Sequence, residues 1–413
     1  MPCRSCPFPS GGSAGSRRGA AYCAQPFVIR KTTTAGADGM RRLVSLAGYR
    51  LGNQTRPGHG PKETSMTEGI RTVVGFDVGD LWSHHYVVDH STGEVVMEGR
   101  VATTRKALER FFGSLERSRV ALEVGTHSRW IQSLLLRLGH EAVVANAREL
   151  QFIWKSHNKH DRVDARKLAR VARLDPSLLH PVRHRSLETH QDLAVLRTRD
   201  QMVQVRTRLI VMVRGMVKAA GERLPSCHTS RFAEKMKDLV PEGLRSAIEP
   251  VLRVIAELSR SIKECDERVE ALVTDRHPEA RALRKVPGIG TLTALAFVLV
   301  LEDPHRFRKS REVGPALGLV PRRDQSGGSD KSLRITKCGD GMLRRLLVEA
   351  AQHILREQGQ DTDLRRWGLA LVRRNGVGVG KKRAVVAVAR KLSVLLHHLW
   401  VTQEEYRPLR DAA

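Results

Sequence analysis

Seven short segments between Thr72 and Ala145 fix the order in which secondary structure must appear, and few folds have that order. Thr72-Val73-Val74-Gly75-Phe76-Asp77-Val78 is a β-prone run that ends in an acid, the pattern of a buried strand. Residues 85–89 and 94–101 predict the next two strands, joined at the turn-forming Ser91-Thr92-Gly93. Residues 104–115 have helical spacing, Val120-Ala121-Leu122-Glu123 reads as a short strand, 130–138 as a helix and 141–145 as a strand. Three strands followed by helix, strand, helix and strand is a mixed α/β order.

The next region changes period. Val195, Met202, Leu209 and Met216 recur every seven residues, as do Leu196, Val203, Ile210 and Val217. After a break over 225–250, Val251, Ile255, Leu258, Ile262, Cys265, Val269 and Leu272 alternate steps of four and three. Both stretches predict a heptad seam, as an antiparallel hairpin within the chain and as a surface that pairs two chains. Such a segment also predicts that whatever follows is held well away from the first domain. From Arg281 onward the chain reads as helical, broken by Gly-rich stretches at 286–290, 325–328 and 375–380. Residues 1–65, rich in Gly, Ser, Thr and Arg without periodicity, read as a disordered extension, with Met66 standing just before the first good strand.

Charge narrows the partner. Lys and Arg total 71 against 44 Asp and Glu, a formal net charge of +27. Such an excess repels itself unless a polyanion neutralises it, and nucleic acid is the expected polyanion. Aromatic residues make up only 4% of the chain, which favours backbone contacts over base-stacking platforms. No apolar run long enough for a membrane span is expected; 289–301 is the most apolar stretch and is too short. Cys3 and Cys6 form a lone Cys-x-x-Cys with no second pair, so no zinc site is expected. A reduced, cytoplasmic protein fits the six scattered cysteines.

The acids carry the chemistry. Asp77 and Glu123 each end a predicted strand, and Asp161 and Asp164 open a predicted helix, three residues apart on one face. Any one of them alone reads as a cap or turn residue. Together they form a set that needs a cation to offset its mutual repulsion, and hard oxygen ligands suit two Mg²⁺ ions acting on a phosphodiester. Lys285-Val286-Pro287-Gly288-Ile289-Gly290 before an apolar helix reads as a helix-hairpin-helix, whose glycines bring backbone N–H groups close to a phosphate. Ser326 precedes two glycines in a predicted mobile loop, with Arg322 and Arg323 beside it; by itself it reads as a turn former.

Gly75-Phe76-Asp77-Val78-Gly79, the stretch Ala121 to Ser128 and the stretch Asp161 to Ala169 together resemble the DEDD-type transposases of the bacterial insertion-sequence-110 family. Residues 286–355, 361–367 and 381–387 resemble the C-terminal part of the same family, so the likeness covers about 70–408. The resemblance implies an α/β RNase H-like (RuvC-like) domain at 70–185, a helical coiled-coil middle at 186–275 and a mainly α C-terminal domain with the helix-hairpin-helix at 280–405. It implies that Asp77, Glu123, Asp161 and Asp164 are a Mg²⁺-binding tetrad and that Ser326 is the nucleophile. DNA is the implied substrate. Some family members carry a structured bridge RNA that pairs with donor and target, so a guide RNA is the implied partner, as is a homodimer or tetramer through 186–275. Lys159, Arg162, Lys285, Gly288, Gly290, Arg322, Arg323 and Lys337 are the expected nucleic-acid contacts. His84, His85, His157 and His160 are expected at the surface or on phosphates. Implied location is the bacterial cytoplasm, at the nucleoid. Two rivals remain: a metal-only junction resolvase, which needs no Ser326, and a non-catalytic nucleic-acid-binding remnant.

The charge yields a first test. Binding to nucleic acid should weaken on the order of a thousandfold between ~50 and ~200 mM salt, since several phosphates must be neutralised. A fluorescence-anisotropy titration with an affinity nearly flat across that range would overturn the polyanion reading.

Overall fold

The structure is a computed structural model that describes residues 69–146, 160–375 and 378–409. The disorder expected of 1–65, and the expectations for Lys159 and His157, fall outside those residues.

The strand order predicted from 72 to 145 is present. Strands β1 (Thr72–Asp77), β2 (Trp82–Asp89), β3 (Val95–Ala102), β4 (Ser118–Glu123) and β5 (Glu141–Ala145) form one sheet in the order β3-β2-β1-β4-β5. The pairs β1–β2 and β2–β3 are antiparallel, whereas β1–β4 and β4–β5 are parallel. Helices α1 (Arg105–Gly113) and α2 (Ser128–Arg137) supply the connections, and α3 (Asp161–Leu174) follows the last strand. A mixed sheet in this order with helices on both faces is consistent with an RNase H-like domain.

Strand alternation sorts the two faces. Val74, Phe76, Val120 and Leu122 pack with Leu108, Phe112, Ile131 and Leu134 of α1 and α2. Val73 and Ala121 point the other way, into a cluster with Ala165, Leu168, Ala169 and Ala172 of α3. Gly75 lies on that second face. A Cβ built there would stand 1.9 Å from the Ala165 carbonyl oxygen and 2.5 Å from the Ala169 nitrogen. The backbones of β1 and α3 are therefore in direct contact, which glycine on the strand and alanines on the helix allow.

The middle is an antiparallel helical hairpin. Helix α4 (Leu187–Ala219) pairs with α6 (Glu242–Asp275) through Arg276–Asp192 at 2.8 Å, Arg199–Asp266 at 2.7 Å and Arg206–Ser259 at 3.2 Å. Buried Leu196, Ile210, Val213 and Val217 face Ile248, Leu252, Ile255, Ile262 and Val269 at heptad spacing. Arg199 and Arg206 interrupt that seam with polar contacts, so it is not the continuous apolar stripe the sequence suggested. The expected break over 225–250 is also shorter. Short helix α5 (Phe232–Met236) fills its first part, and Pro250 lies inside α6.

The hairpin does not act as a spacer. Its two helices fold back on each other, and the C-terminal part packs on their base. Leu193 and Leu196 of α4 and Val269, Leu272 and Val273 of α6 join one core with helices α7 (Glu279–Leu283), α8 (Thr291–Leu301), α10 (Gly341–Ile354) and α12 (Val379–Thr402). Helices α9 (Val313–Ala316) and α11 (Asp363–Asn375) complete that part. Arg185, just before α4, donates to the Val300 carbonyl of α8 at 2.8 Å. Length of chain between the acids and Ser326 thus says nothing about their separation.

Two further expectations are corrected. Residues 321–335 are not a break between helices: β6 (Pro321–Ser326) and β7 (Ser329–Ile335) form a β-hairpin. Gly327 supplies the positive φ of +56° that its tight turn requires. Residues Gly380–Thr402 have the length and a mean hydropathy of 1.4 that would suit a membrane span, where no such run was expected. In the fold, Val388, Ala389, Leu392 and Leu396 of that helix lie in the middle of the C-terminal core. The apolar stretch ending at Leu301 is likewise a core helix, buried from Thr293 to Leu301.

The β1–α3 contact is testable. Gly75→Ala should destabilise the protein by about 3 kcal/mol, because backbone rather than a flexible side chain must yield. Gly113→Ala, where an added Cβ meets nothing within 4 Å, should change stability by less than ~0.5 kcal/mol. Urea midpoints of the two variants decide it, and equal midpoints would refute the contact.

Candidate active site

Asp77 and Glu123 end neighbouring parallel strands, and alternation places both on the α3 face of the sheet, with Gly75 and Ala121. Together with Asp80, Thr126, His127 and Ser128 they line a cavity of about 310 Å³. Helix α3 runs antiparallel to β1. Its Ala165 sits over Gly75, and its Ala172 carbonyl accepts from Arg119 at 3.3 Å, at the far end of β4. The first turn of α3, which carries Asp161 and Asp164, therefore lies at the same end of the sheet as Asp77 and Glu123. Asp161 stands 4.0 Å from His84 Nε2, and His84 is the register partner of Asp77.

The two helix acids differ in environment. Asp161 is exposed, whereas Asp164 is buried. Asp164 Oδ1 has no hydrogen-bond partner among the described residues, and the Lys167 ammonium is 3.9 Å away. A buried carboxylate oxygen without a donor is unfavourable unless something positive completes it. Among the described residues, no three His, Cys, Asp or Glu side chains are grouped closely enough to hold an ion. The structure brings Asp77 and Glu123 to one cavity and holds Asp161 and Asp164 at the same end of the sheet, without closing all four on one point.

Neighbouring charges hold α3 in place. Glu98 of β3 accepts from Arg162 at 2.9 Å and lies 3.6 Å from Arg166. The Arg162 hydrogen bond keeps the Glu98 carboxyl below its ordinary value. Arg162, expected on nucleic acid, is thus engaged with the sheet. His85, expected at the surface, is buried against the Phe111 ring at 4.4 Å. Burial lowers its pKa, with help from His84 and against the pull of Glu98. His160 is exposed and precedes α3 without a side-chain cap hydrogen bond.

The remaining expected contacts lie on the C-terminal part. Ser326 ends β6, and every residue of that strand is exposed, Arg322 and Arg323 included. Arg323 is 4.0 Å from Asp330 across the hairpin. Lys337 is exposed at φ +56°. The 286–290 turn does join two helices, but α7 is only five residues long, and a Cβ at Gly288 would stand 2.9 Å from Ile354 Cγ1. That glycine serves packing against α10. Gly290 caps α8 with open space around its Cα, and Lys285 is paired with Glu405 at 2.8 Å. Two cavity residues, Asp80 and His127, escaped the sequence reading. The signal available was local: His127 stands three residues before Trp130, at the start of a predicted helix that follows the strand-end acid Glu123.

Comparison with known proteins places the chain in a family. A family model described as a transposase matches residues 74–221, which span the strand domain and α4. A second, described as transposase IS116/IS110/IS902 family, matches residues 280–364, which include the β6–β7 hairpin. Among relatives, the transposase for insertion sequence element IS1111A of Coxiella burnetii is 33% identical over 258 residues, 60% of this chain and 69% of that protein. A probable family 20 transposase of Pseudomonas aeruginosa is 29% identical over 317 residues, 74% of this chain and 90% of its own length. The transposase for insertion sequence element IS1328 of Yersinia enterocolitica is 28% identical over 305 residues, 72% and 88% of the two chains. The protein is a DNA transposase. It belongs to the IS116/IS110/IS902 family.

Asp164 generates a prediction at this level. In chelator, Asp164→Asn should raise the melting temperature by ~1–3 °C, since it removes a buried charge without a donor. Any stabilisation that added Mg²⁺ or Mn²⁺ gives the parent should be lost in the same variant, if the expected tetrad holds the ion. A lower melting temperature in chelator would mean that Asp164 has a structural partner.

Proposed function

We propose that this transposase cuts and rejoins DNA strands by phosphoryl transfer, with Asp77, Glu123, Asp161 and Asp164 as its metal-binding set and Ser326 as its nucleophile. The observation that carries this reading is the common placement of the acids: two strand ends and one helix start, on one face and at one end of the sheet. The donors fit a hard cation, because all are carboxylates and the buried Asp164 Oδ1 lacks a hydrogen-bond donor. Two Mg²⁺ ions held there would stabilise the oxygens entering and leaving phosphorus.

The Ser326 Oγ would bond to phosphorus as one strand's P–O bond breaks, its proton passing to solvent and a proton reaching the departing oxygen. A hydroxyl of the second strand would reverse that exchange. The hairpin suits the role: its backbone pairing fixes Ser326 at the tip, and its exposure lets a duplex reach it. A structured RNA that pairs with both DNAs would supply sequence recognition, with the chain's positive charge engaging backbones of both nucleic acids. Dimerisation through the helical hairpin is supported by the exposed apolar residues Val205, Val211, Met212 and Val254 on its two helices. The bacterial cytoplasm, at the nucleoid, is where such a reaction would take place.

Single and mixed variants test this reading. Asp77→Asn should abolish cleavage, a loss of at least ~1000-fold, with DNA affinity within ~threefold of the parent. Ser326→Ala should abolish strand joining without lowering the melting temperature. Cleavage by Ser326→Ala at the parent rate would favour a metal-only nuclease. If serine and carboxylates come from different subunits, mixing Ser326→Ala with Asp161→Ala, each inactive alone, should restore strand exchange. Verified mixed dimers without activity would rule that assembly out.

A further inference from the structure

We infer that His127 is a catalytic residue, a hydrogen-bond donor to a non-bridging oxygen of the phosphodiester in the carboxylate cavity. This rests on the reading of that cavity as the reaction centre. His127 lines the same cavity as Asp77 and Glu123. It directly precedes α2, yet its side chain makes no cap hydrogen bond to that helix. Its two ring nitrogens have different partners. Trp130 Nε1 lies 3.1 Å from His127 Nδ1 and donates to it. An indole nitrogen can only donate, so Nδ1 holds the lone pair and the proton of the neutral ring sits on Nε2. The rings meet edge to face at 6.1 Å and 85°, and the Arg105 guanidinium lies 5.6 Å from the Trp130 ring. Tautomer and ring plane are thus both set from behind.

Nε2–H faces forward. Among the described residues it meets Asp80 Oδ1 at 3.5 Å, a stretched contact to an exposed carboxylate at the cavity rim. A phosphodiester entering beside Asp77 and Glu123 brings negative charge towards negative charge. A fixed neutral donor on the same wall stabilises its oxygens without competing for cations, and it costs no reorganisation at the moment of reaction. Asp80, repelled by the phosphate, is the partner that gives way. No proton is transferred in this role; the N–H stays on the ring throughout.

The experiment compares three variants of the full-length protein on the same DNA, with Asp77→Asn alongside. His127→Ala should slow cleavage by about 100-fold, as loss of one fixed donor does, with DNA affinity and melting temperature little changed. His127→Gln can place an amide N–H where Nε2–H stands and should recover at least about tenfold of that loss. Trp130→Phe keeps a ring but frees the tautomer and should fall between the parent and His127→Ala. Cleavage by His127→Ala at the parent rate, beside an inactive Asp77→Asn, would overturn the inference and leave the site reading intact. Equal losses in the Ala and Gln variants, with a lowered melting temperature, would make His127 structural and overturn it too. An active Asp77→Asn would instead remove the site reading on which the inference stands.

Discussion

Helix α3 rests on strand β1 with no side chain between their backbones at Gly75, and where Asp161 and Asp164 stand relative to the strand-end acids follows from that contact. Any Cβ at residue 75 would enter the helix. The close approach lets a helix that begins with Asp161 and Asp164 arrive at the end of the sheet where β1 and β4 finish in Asp77 and Glu123. Small residues at 165, 169 and 172 keep the approach open along the helix. The Arg162 and Arg166 contacts to Glu98 then fix its rotation over the sheet from the β3 side. Geometry that brings like charges together is unfavourable by itself, so a rigid backbone interface is what can impose it.

The second constraint is the joint between the strand domain and the C-terminal part. Arg185 anchors on Val300, Ser186 N–H donates to Glu302 at 2.6 Å, and Arg129 reaches back to the Arg185 carbonyl at 2.6 Å. Ser128, on the cavity wall, lies 2.9 Å from His184 Nε2. Burial lowers the His184 pKa, and the cations at 129 and 185 add to it. Farther along, Arg197–Asp340 at 3.3 Å and the Arg345–Asp200 pair tie α4 to α10. One short stretch of chain therefore touches both the acidic cavity and helix α8 of the C-terminal core.

Much of the strand domain was legible because its signals are local. Alternation and turn residues marked the strands from 72 to 145, and strand-end acids were visible as such. The contact between Gly75 and Ala165 was not legible, since 90 residues of chain separate them and glycine in a strand has many meanings. Heptad spacing found both long helices but not where their seam turns polar, because the partners that hold Arg199 and Arg206 there, Asp266 and Ser259, lie on the other helix. At 321–335 exposure hid the strands: β6 has no buried face, so no period of two in hydrophobicity announces it. Trp130 and His127 were close in sequence, yet which nitrogen faces the cavity is a matter of three-dimensional orientation.

That same hairpin has a consequence for how the protein can change over generations. Its shape is held by backbone pairing and one glycine turn, and strand β6 contributes no side chain to the core. Residues flanking Ser326 can therefore be exchanged at little expense in folding, whereas the buried helices of the C-terminal core cannot. A lineage could retune what its hairpin touches, one surface residue at a time, while the scaffold that carries the serine stays unaltered.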